Sequence, residues 1–240
     1  MTSELHLLTF DANDPEVVAR FWGGLLEREV VPAVSGGRSL PPSRDTEFGI
    51  HVQPGEEPKR GPNQMHLDLP TDSSEAQAAL VARALELGGR HIDVGQLPEE
   101  AHVVLADPEG NELCVIEPGN GFLAGCGTIG CLSSDGSQAV GYFWSAALGW
   151  PLVWDQDEET AIQSPRGGSK ISWGGPPLDP RLGKNRLHLD LVPDEGTTLA
   201  EEVERLRGLG ATHVDIGQGD VPWVVLADPD GNEFCVLPRP

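Results

Sequence analysis

The stretch VVLADPEGNELCVI, Val103–Ile116, returns almost unchanged as VVLADPDGNEFCVL, Val224–Leu237, 121 positions later. A chain that repeats itself is a smaller unit built more than once, and that constrains the fold more than any composition value does. The self-similarity runs well beyond the quoted stretch. Phe21-Trp22 returns as Phe143-Trp144, Asn63–Leu69 (NQMHLDL) as Asn185–Leu191 (NRLHLDL), and His91–Gln96 as His213–Gln218, each shifted by 122. A loop shorter by one residue after Gln218 accounts for the change of register. Two units follow, 1–118 and 123–240, each of about 120 residues as domains often are, joined near the Pro/Gly-rich Pro118–Gly121 with 119–122 as linker.

Each unit has its own internal order. The apolar run Leu5–Phe10 reads as a strand, and Asp14 with Pro15 supplies a helix cap and a first helical residue whose missing N–H is no loss. Val17, Phe21 and Leu25 then fall on one helical face, as Val140, Trp144 and Leu148 do in the second copy. Trp22 and Trp144 are expected in the core, where aromatic burial contributes most. Short strands are expected around Glu29–Val34 and Phe48–Val52. The pattern then restarts: His66–Leu69 reads as a strand, Ser74–Gln77 has capping-box spacing at the head of a helix through Leu87, and Thr198–Glu201 opens its counterpart. His91–Val94, Val103–Ala106 and Leu113–Ile116 follow as strands. Asp107-Pro108-Glu109-Gly110 fits a type I turn joining the last two. Each unit therefore reads β-α-β-β-β twice over.

The formal charge of −22 repels phosphate backbones and anionic lipid, so nucleic-acid and membrane partners are disfavoured. No run approaches the roughly 18 apolar residues of a membrane span. Four cysteines in 240 residues, and a start (Met1-Thr2-Ser3-Glu4) without the basic-then-apolar leader pattern, lead us to expect a reduced, cytoplasmic setting. Cys126 and Cys131, five apart on what reads as a strand, are expected to face opposite ways. Gly36-Gly37 and Gly167-Gly168 lack phosphate-loop or dinucleotide fingerprints and read as turns.

Doubled β-α-β-β-β modules, a strand-opening histidine in His66-Leu67-Asp68-Leu69 and a closing DPxGN hairpin resemble the vicinal oxygen chelate superfamily, which includes glyoxalase I, bleomycin-resistance proteins and extradiol dioxygenases. The resemblance spans nearly the whole chain. It implies an α+β fold of two tandem glyoxalase-like domains, each a pair of βαβββ modules forming a curved eight-stranded mixed sheet around a cleft. Together they would mimic the dimer of single-domain relatives, as a monomeric pseudo-dimer or a homodimer. Which modules pair to form each cleft stays open. In metal-dependent members of the superfamily, two ligands come from first strands and two from last strands, leaving positions for vicinal substrate oxygens.

On that pattern His66 and His188 occupy a ligand position, while Cys114 and Cys235 stand where the carboxylate belongs. The remaining positions fall on Leu7 and Ile129, with His6 one residue from the first, and near His51 or Gln53 and Trp173–Gly175. Strand alternation adds Asp68 beside His66 and Glu112 beside Cys114, with Asp190 and Glu233 as their counterparts. Three readings compete for this set. It could hold zinc through His66, Glu112 and Cys114 with His6 or His51 as a fourth ligand; it could act as a metal-free acid/base site through Glu112, Asp68, Glu233 or Asp190; or it could be structural, with the thiols as small hydrophobes. Trp173 is a further candidate for cleft lining. Because most ligand types are missing, the sequence favours a protein that binds a small organic molecule without a tightly held metal. A lyase or dioxygenase using Zn, Ni, Mn or Fe in the first unit is the alternative, and a structural or partner-binding tandem is the third possibility.

Overall fold

Sixteen strands and four helices follow one another in the computed structural model, which describes residues 2–34, 36–43, 48–97 and 99–239. Module one comprises β1 (Ser3–Ala12), α1 (Pro15–Leu26), β2 (Val31–Pro32), β3 (Arg38–Leu40) and β4 (Gly49–Pro54). Module two comprises β5 (Met65–Pro70), α2 (Ser74–Glu86), β6 (Arg90–His91), β7 (Val103–Ala106) and β8 (Glu112–Ile116). Module three has β9 (Cys131–Ser134), α3 (Gln138–Leu148), β10 (Leu152–Gln156), β11 (Glu159–Gln163) and β12 (Lys170–Trp173). Module four has β13 (Leu187–Pro193), α4 (Leu199–Leu209), β14 (Thr212–His213), β15 (Val224–Ala227) and β16 (Glu233–Val236).

The local signals act as their chemistry dictates. Asp14 caps α1 by accepting from the backbone of Glu16 and Val17, and the Thr198–Glu201 capping box closes at the start of α4. In α2 the cap is Ser73, one residue earlier than the spacing suggested, accepting from Ala76. Strand β3 was not anticipated: it is three residues long and flanked by Gly37 and Pro41, which hide a strand from any periodicity argument.

Two eight-stranded mixed sheets form, but each is shared between the sequence halves. One runs β14-β15-β16-β13-β1-β4-β3-β2, so it combines modules one and four; the other runs β10-β11-β12-β9-β5-β8-β7-β6 and combines modules two and three. We call them the outer-module and inner-module sheets. Within each module the first and last strands run parallel, while the modules meet through antiparallel first strands, β1 with β13 and β5 with β9. Neither half therefore closes a sheet by itself.

The helix-facing sides of both sheets, with residues such as Leu8, Phe10, Leu67, Leu69, Leu132 and Leu191, pack with apolar residues of all four helices in one continuous core. Trp22 and Phe21 are fully buried there; a side chain of this kind removes about 150–250 Å² from water and stabilises the fold by a few kcal/mol. Strand alternation then turns Thr9, His188 and Asp190 on one sheet, and His66, Asp68 and Cys114 on the other, away from the helices.

The repeated DPxGN turn joins the sheets to each other. Gly110 and Gly231 sit at φ +93° and +89°, and each donates its N–H back to the carbonyl of the turn aspartate, Asp107 or Asp228. The aspartate side chain accepts from an indole of the preceding module, which lies on the other sheet: Trp22 Nε1 to Asp107 Oδ2, and Trp144 Nε1 to Asp228 Oδ2, both at 3.2 Å. The third turn residue reaches the same neighbouring helix start. Glu109 accepts from the backbone of Asn13 and Asp14, and Asp230 from the backbone and hydroxyl of Ser137, the N-cap of α3. The doubled stretch is thus a stitch between sheets as well as a hairpin closure. Among the described residues, no helix is long and apolar enough to cross a membrane.

Candidate functional site

The cleft side of the outer-module sheet gathers polar groups from four adjacent strands. Thr9 on β1 lies opposite His188 on β13 and beside His51 on β4; one step along, Leu7 lies opposite Asp190, which itself pairs with Cys235 on β16. One nitrogen, one carboxylate oxygen and one sulfur from His188, Asp190 and Cys235 all lie within 4.8 Å of one another. Thr9 donates its hydroxyl to Asp190 Oδ2 at 2.7 Å, and His188 Nε2 stands 3.4 Å from Asp190 Oδ1. Burial opposes charge on His188, but the Asp190 carboxylate and the neighbouring Cys235 sulfur outweigh it and raise its pKa to about 10. Asp190 is held below the usual carboxylate range, since His188 and Thr9 overcome the opposing effect of burial. Burial pushes the Cys235 thiol up, and burial lowers His51 despite the nearby Asp190. His188 Nδ1 and Asp190 Oδ1 are buried without a hydrogen-bond partner, which is costly in a settled protein interior.

That set lines a cavity of about 1300 Å³, together with His51, Gln53 and Trp223. Its donor chemistry fits a zinc-type ion: imidazole, carboxylate and thiolate, with room for a ligand in a fourth position. Binding would require His188 and Cys235 to give up protons, so affinity would rise with pH. The four-ligand arrangement implied by the superfamily does not form, because Leu7 supplies a hydrocarbon where a ligand belongs.

The inner-module sheet repeats the constellation and packs apolar side chains against its cysteine. His66, Asp68 and Cys114 again place three donor atoms within 4.8 Å, with His66 Nε2 at 3.3 Å from Asp68 Oδ1. Burial again opposes charge on His66, and Asp68 and Cys114 again prevail, raising its pKa to about 10. Here the linker folds over the cleft side. Leu123, 5% exposed, and the partly buried Phe122 pack with Val104, Cys114, Ile116 and Cys131. Lys170 on β12 lies over the Phe122 ring, 4.5 Å from its centroid, and donates to the Phe122 carbonyl, while Trp154 meets the same ring edge-on at 6.4 Å. The Cys131 thiol is pushed up to about 12 by burial, with Asp68 adding to the effect.

Several sequence expectations are separated by this architecture. His6 and His51 cannot complete a set with His66 and Cys114, because both belong to the outer-module sheet. His6 is the extra residue of a bulge between Leu5 and Leu7, exposed at the cavity rim, whereas His51 lies in the same cavity as His188. Glu112 and Glu233 anchor connecting loops. Glu112 pairs with Lys59 at 2.6 Å and accepts from the Asn63 backbone; Glu233 pairs with Arg181 at 3.0 Å and accepts from the Asn185 backbone. Trp173 packs in the helix-side core, not in a cleft; its neighbour Ser172 takes the cleft side and receives the Cys131 thiol. Cys126 lies on the linker before β9, so strand alternation does not apply to it.

The sequence reading overlooked Thr9 and Asp11, although both follow Leu7 at spacings of two, whereas it anticipated Gln53 as a cleft position. It also overlooked the linker's role, for which the apolar pair Phe122-Leu123 in a Pro/Gly-rich stretch was the available signal.

Comparison with known proteins agrees with this architecture. The family model described as "Glyoxalase-like domain" matches residues 7–116 and again 130–237. Glyoxalase I from Zea mays is similar in structure, with a TM-score of 0.65 at 12% identity over 99% of this chain and 92% of that one. A putative dioxygenase from Bacillus subtilis has a TM-score of 0.60 at 14% identity over 100% of this chain and 86% of that one. At such identities the likeness concerns the fold alone. No curated protein sequence matches the chain.

Proposed function

The chain belongs to the glyoxalase-like domain family, twice over, and from that premise we propose that it binds a small organic molecule in the cleft of the outer-module sheet. One observation carries this reading: a cavity of about 1300 Å³ ends on His188, Asp190 and Cys235, while on the inner-module sheet Phe122 and Leu123 pack against Cys114. A concave, largely apolar hollow with a few convergent polar groups is what small-molecule sites have in common. The family supplies the fold but not the chemistry, since one fold serves many reactions. A cytoplasmic setting, with no nucleic-acid or membrane partner, belongs to the same proposal.

The test is a thermal-shift screen of the whole chain against small organic molecules. A ligand present at a hundred times its Kd should add about 2.7 kcal/mol of stability. A broad screen without a single saturable shift overturns the reading.

The close approach of the three donor atoms favours a second reading, a metal-dependent lyase or dioxygenase of the glyoxalase class. Its ion would sit on His188, Asp190 and Cys235, not on the His66 set that the sequence pointed to first, because the former set faces the open cavity. A bound ion would supply Lewis-acid polarisation of a substrate oxygen; Thr9 would orient Asp190, and the cavity walls would hold the substrate. Elemental analysis of protein purified without chelator should then give about one equivalent of Zn, Ni, Mn or Fe, and trace metal only would remove this reading while leaving the first in place.

A further inference from the structure

The chain is strongly acidic, yet its open cleft is not. Among the described residues, five Lys and Arg line the cavity (Lys59, Arg60, Arg181, Lys184 and Arg186), against four acids (Asp11, Glu56, Glu57 and Asp190). The cations come from two connections, that between β4 and β5 and that between β12 and β13. Three of them are braced from behind. Lys59 pairs with Glu112, Arg181 with Glu233 and Arg186 with Glu109, and none of these three acids lines the cavity. Lys184 pairs with Asp11, which does line it. Arg186 is nine-tenths buried and its Nε has no hydrogen-bond partner, so one donor of a fixed guanidinium is left over. Arg60 is exposed at the rim. The facing segments are hydrocarbon and aromatic: Val31–Val34 on one side, and Ile216, Trp223 and Leu237 on the other.

Cations held in place by acids behind them lose little entropy on meeting an anion, and paired guanidinium groups suit carboxylate and phosphate oxygens. A cleft near charge balance in a molecule of net charge −22 also repels an anion less than the surrounding surface does. Resting on the reading of this cleft as a small-molecule site, we propose that its ligand is an organic anion with an apolar body. The carboxylate or phosphate meets the 59–60 and 181–186 connections, and the body lies along Trp223 and Val31–Val34.

Two fluorescent probes with the same ring system test this: anilinonaphthalene sulfonate, an anion, and phenylnaphthylamine, which is neutral. The full native chain should bind the anion at least about tenfold more tightly, as charge-assisted contacts imply. Arg60→Glu should weaken the anion by about three- to tenfold and leave the neutral probe and the melting temperature unchanged, whereas the charge-matched Arg83→Glu, on α2 away from the cleft, should alter neither. Trp223→Phe should reduce energy transfer from protein to bound probe, placing it in this cleft. Displacement by an alkyl carboxylate or by an alkyl phosphate then identifies the head group. Equal affinity for both probes, an Arg83→Glu effect matching that of Arg60→Glu, or displacement by neither anion overturns the anion preference while the cleft reading stands. Binding of neither probe counts against the cleft reading itself.

Discussion

The two clefts are built from the same parts and end differently. Each presents a His-x-Asp strand beside a cysteine, His188-Asp190-Cys235 in one and His66-Asp68-Cys114 in the other, with three donor atoms equally close. Yet the His188 set closes off a cavity of about 1300 Å³, whereas in the other set Cys114 lies under apolar side chains of the linker and His66 keeps about a third of its side chain exposed. Topology explains the difference. The inner-module sheet joins modules two and three, so the linker must run from β8 to β9 within that sheet and across its cleft. Modules one and four have no such connection, and their cleft stays clear. The route of one connection thus sets two clefts built from the same parts apart.

The largest effect should come from the plug. Leu123→Ala should cost about 2–5 kcal/mol, as a buried leucine truncation does, and urea unfolding would measure it. Phe122→Ala with Leu123→Ala should also create a second equivalent of probe binding; stoichiometry unchanged at one would mean the linker does not close the inner-module cleft.

Next comes the donor set. If zinc is titrated into the metal-free chain, His188→Ala should weaken its binding by about 10–100-fold or more, while His66→Ala should leave it unchanged. An equal loss in both variants, read by calorimetry, would erase the contrast between the clefts.

The inter-sheet stitches offer a smaller test. Trp144→Phe removes one donor from buried Asp228, and Trp22→Phe does the same to Asp107; each should cost about 1–3 kcal/mol. A negligible cost for either, in thermal melts, would show that its turn closes a hairpin and nothing more.

The smallest effect is on pH. Burial raises the Asp228 pKa from 3.8 to about 6. A raised folded pKa means the fold holds that proton more tightly than the unfolded chain does. This contribution is complete below 3.8 and lost as pH rises through 6. The melting temperature of the native chain relative to Asp228→Asn should thus fall between pH 4 and 6 and be flat above 7; no slope in that window would contradict it.

Much of this was legible in the sequence because it depends on neighbours along the chain. Asp14 with Pro15, the Thr198–Glu201 box and the turn at Gly110 act over four residues or fewer, and alternation correctly put Asp68 on the face of His66. What was hidden depends on partners far away. Nothing in His-Leu-Asp-Leu says whether β5 pairs with β1 or β9, and that choice decides which histidines share a cleft. The bulge at His6 is equally silent, since one extra residue moves Leu7 to the cleft and leaves Leu5 in the core. Glu112 alternates correctly with Cys114, yet Lys59, a residue from another connection, draws it into a loop contact.

The crossed sharing of strands has a consequence for synthesis. Ser3 finds its sheet partner only at Pro193, so a chain leaving the ribosome exposes one flank of β1 until β13 has been made. An unpaired strand flank is the kind of surface that joins neighbouring nascent chains. The excess of acidic over basic residues, already present in the first module, opposes that encounter while it waits.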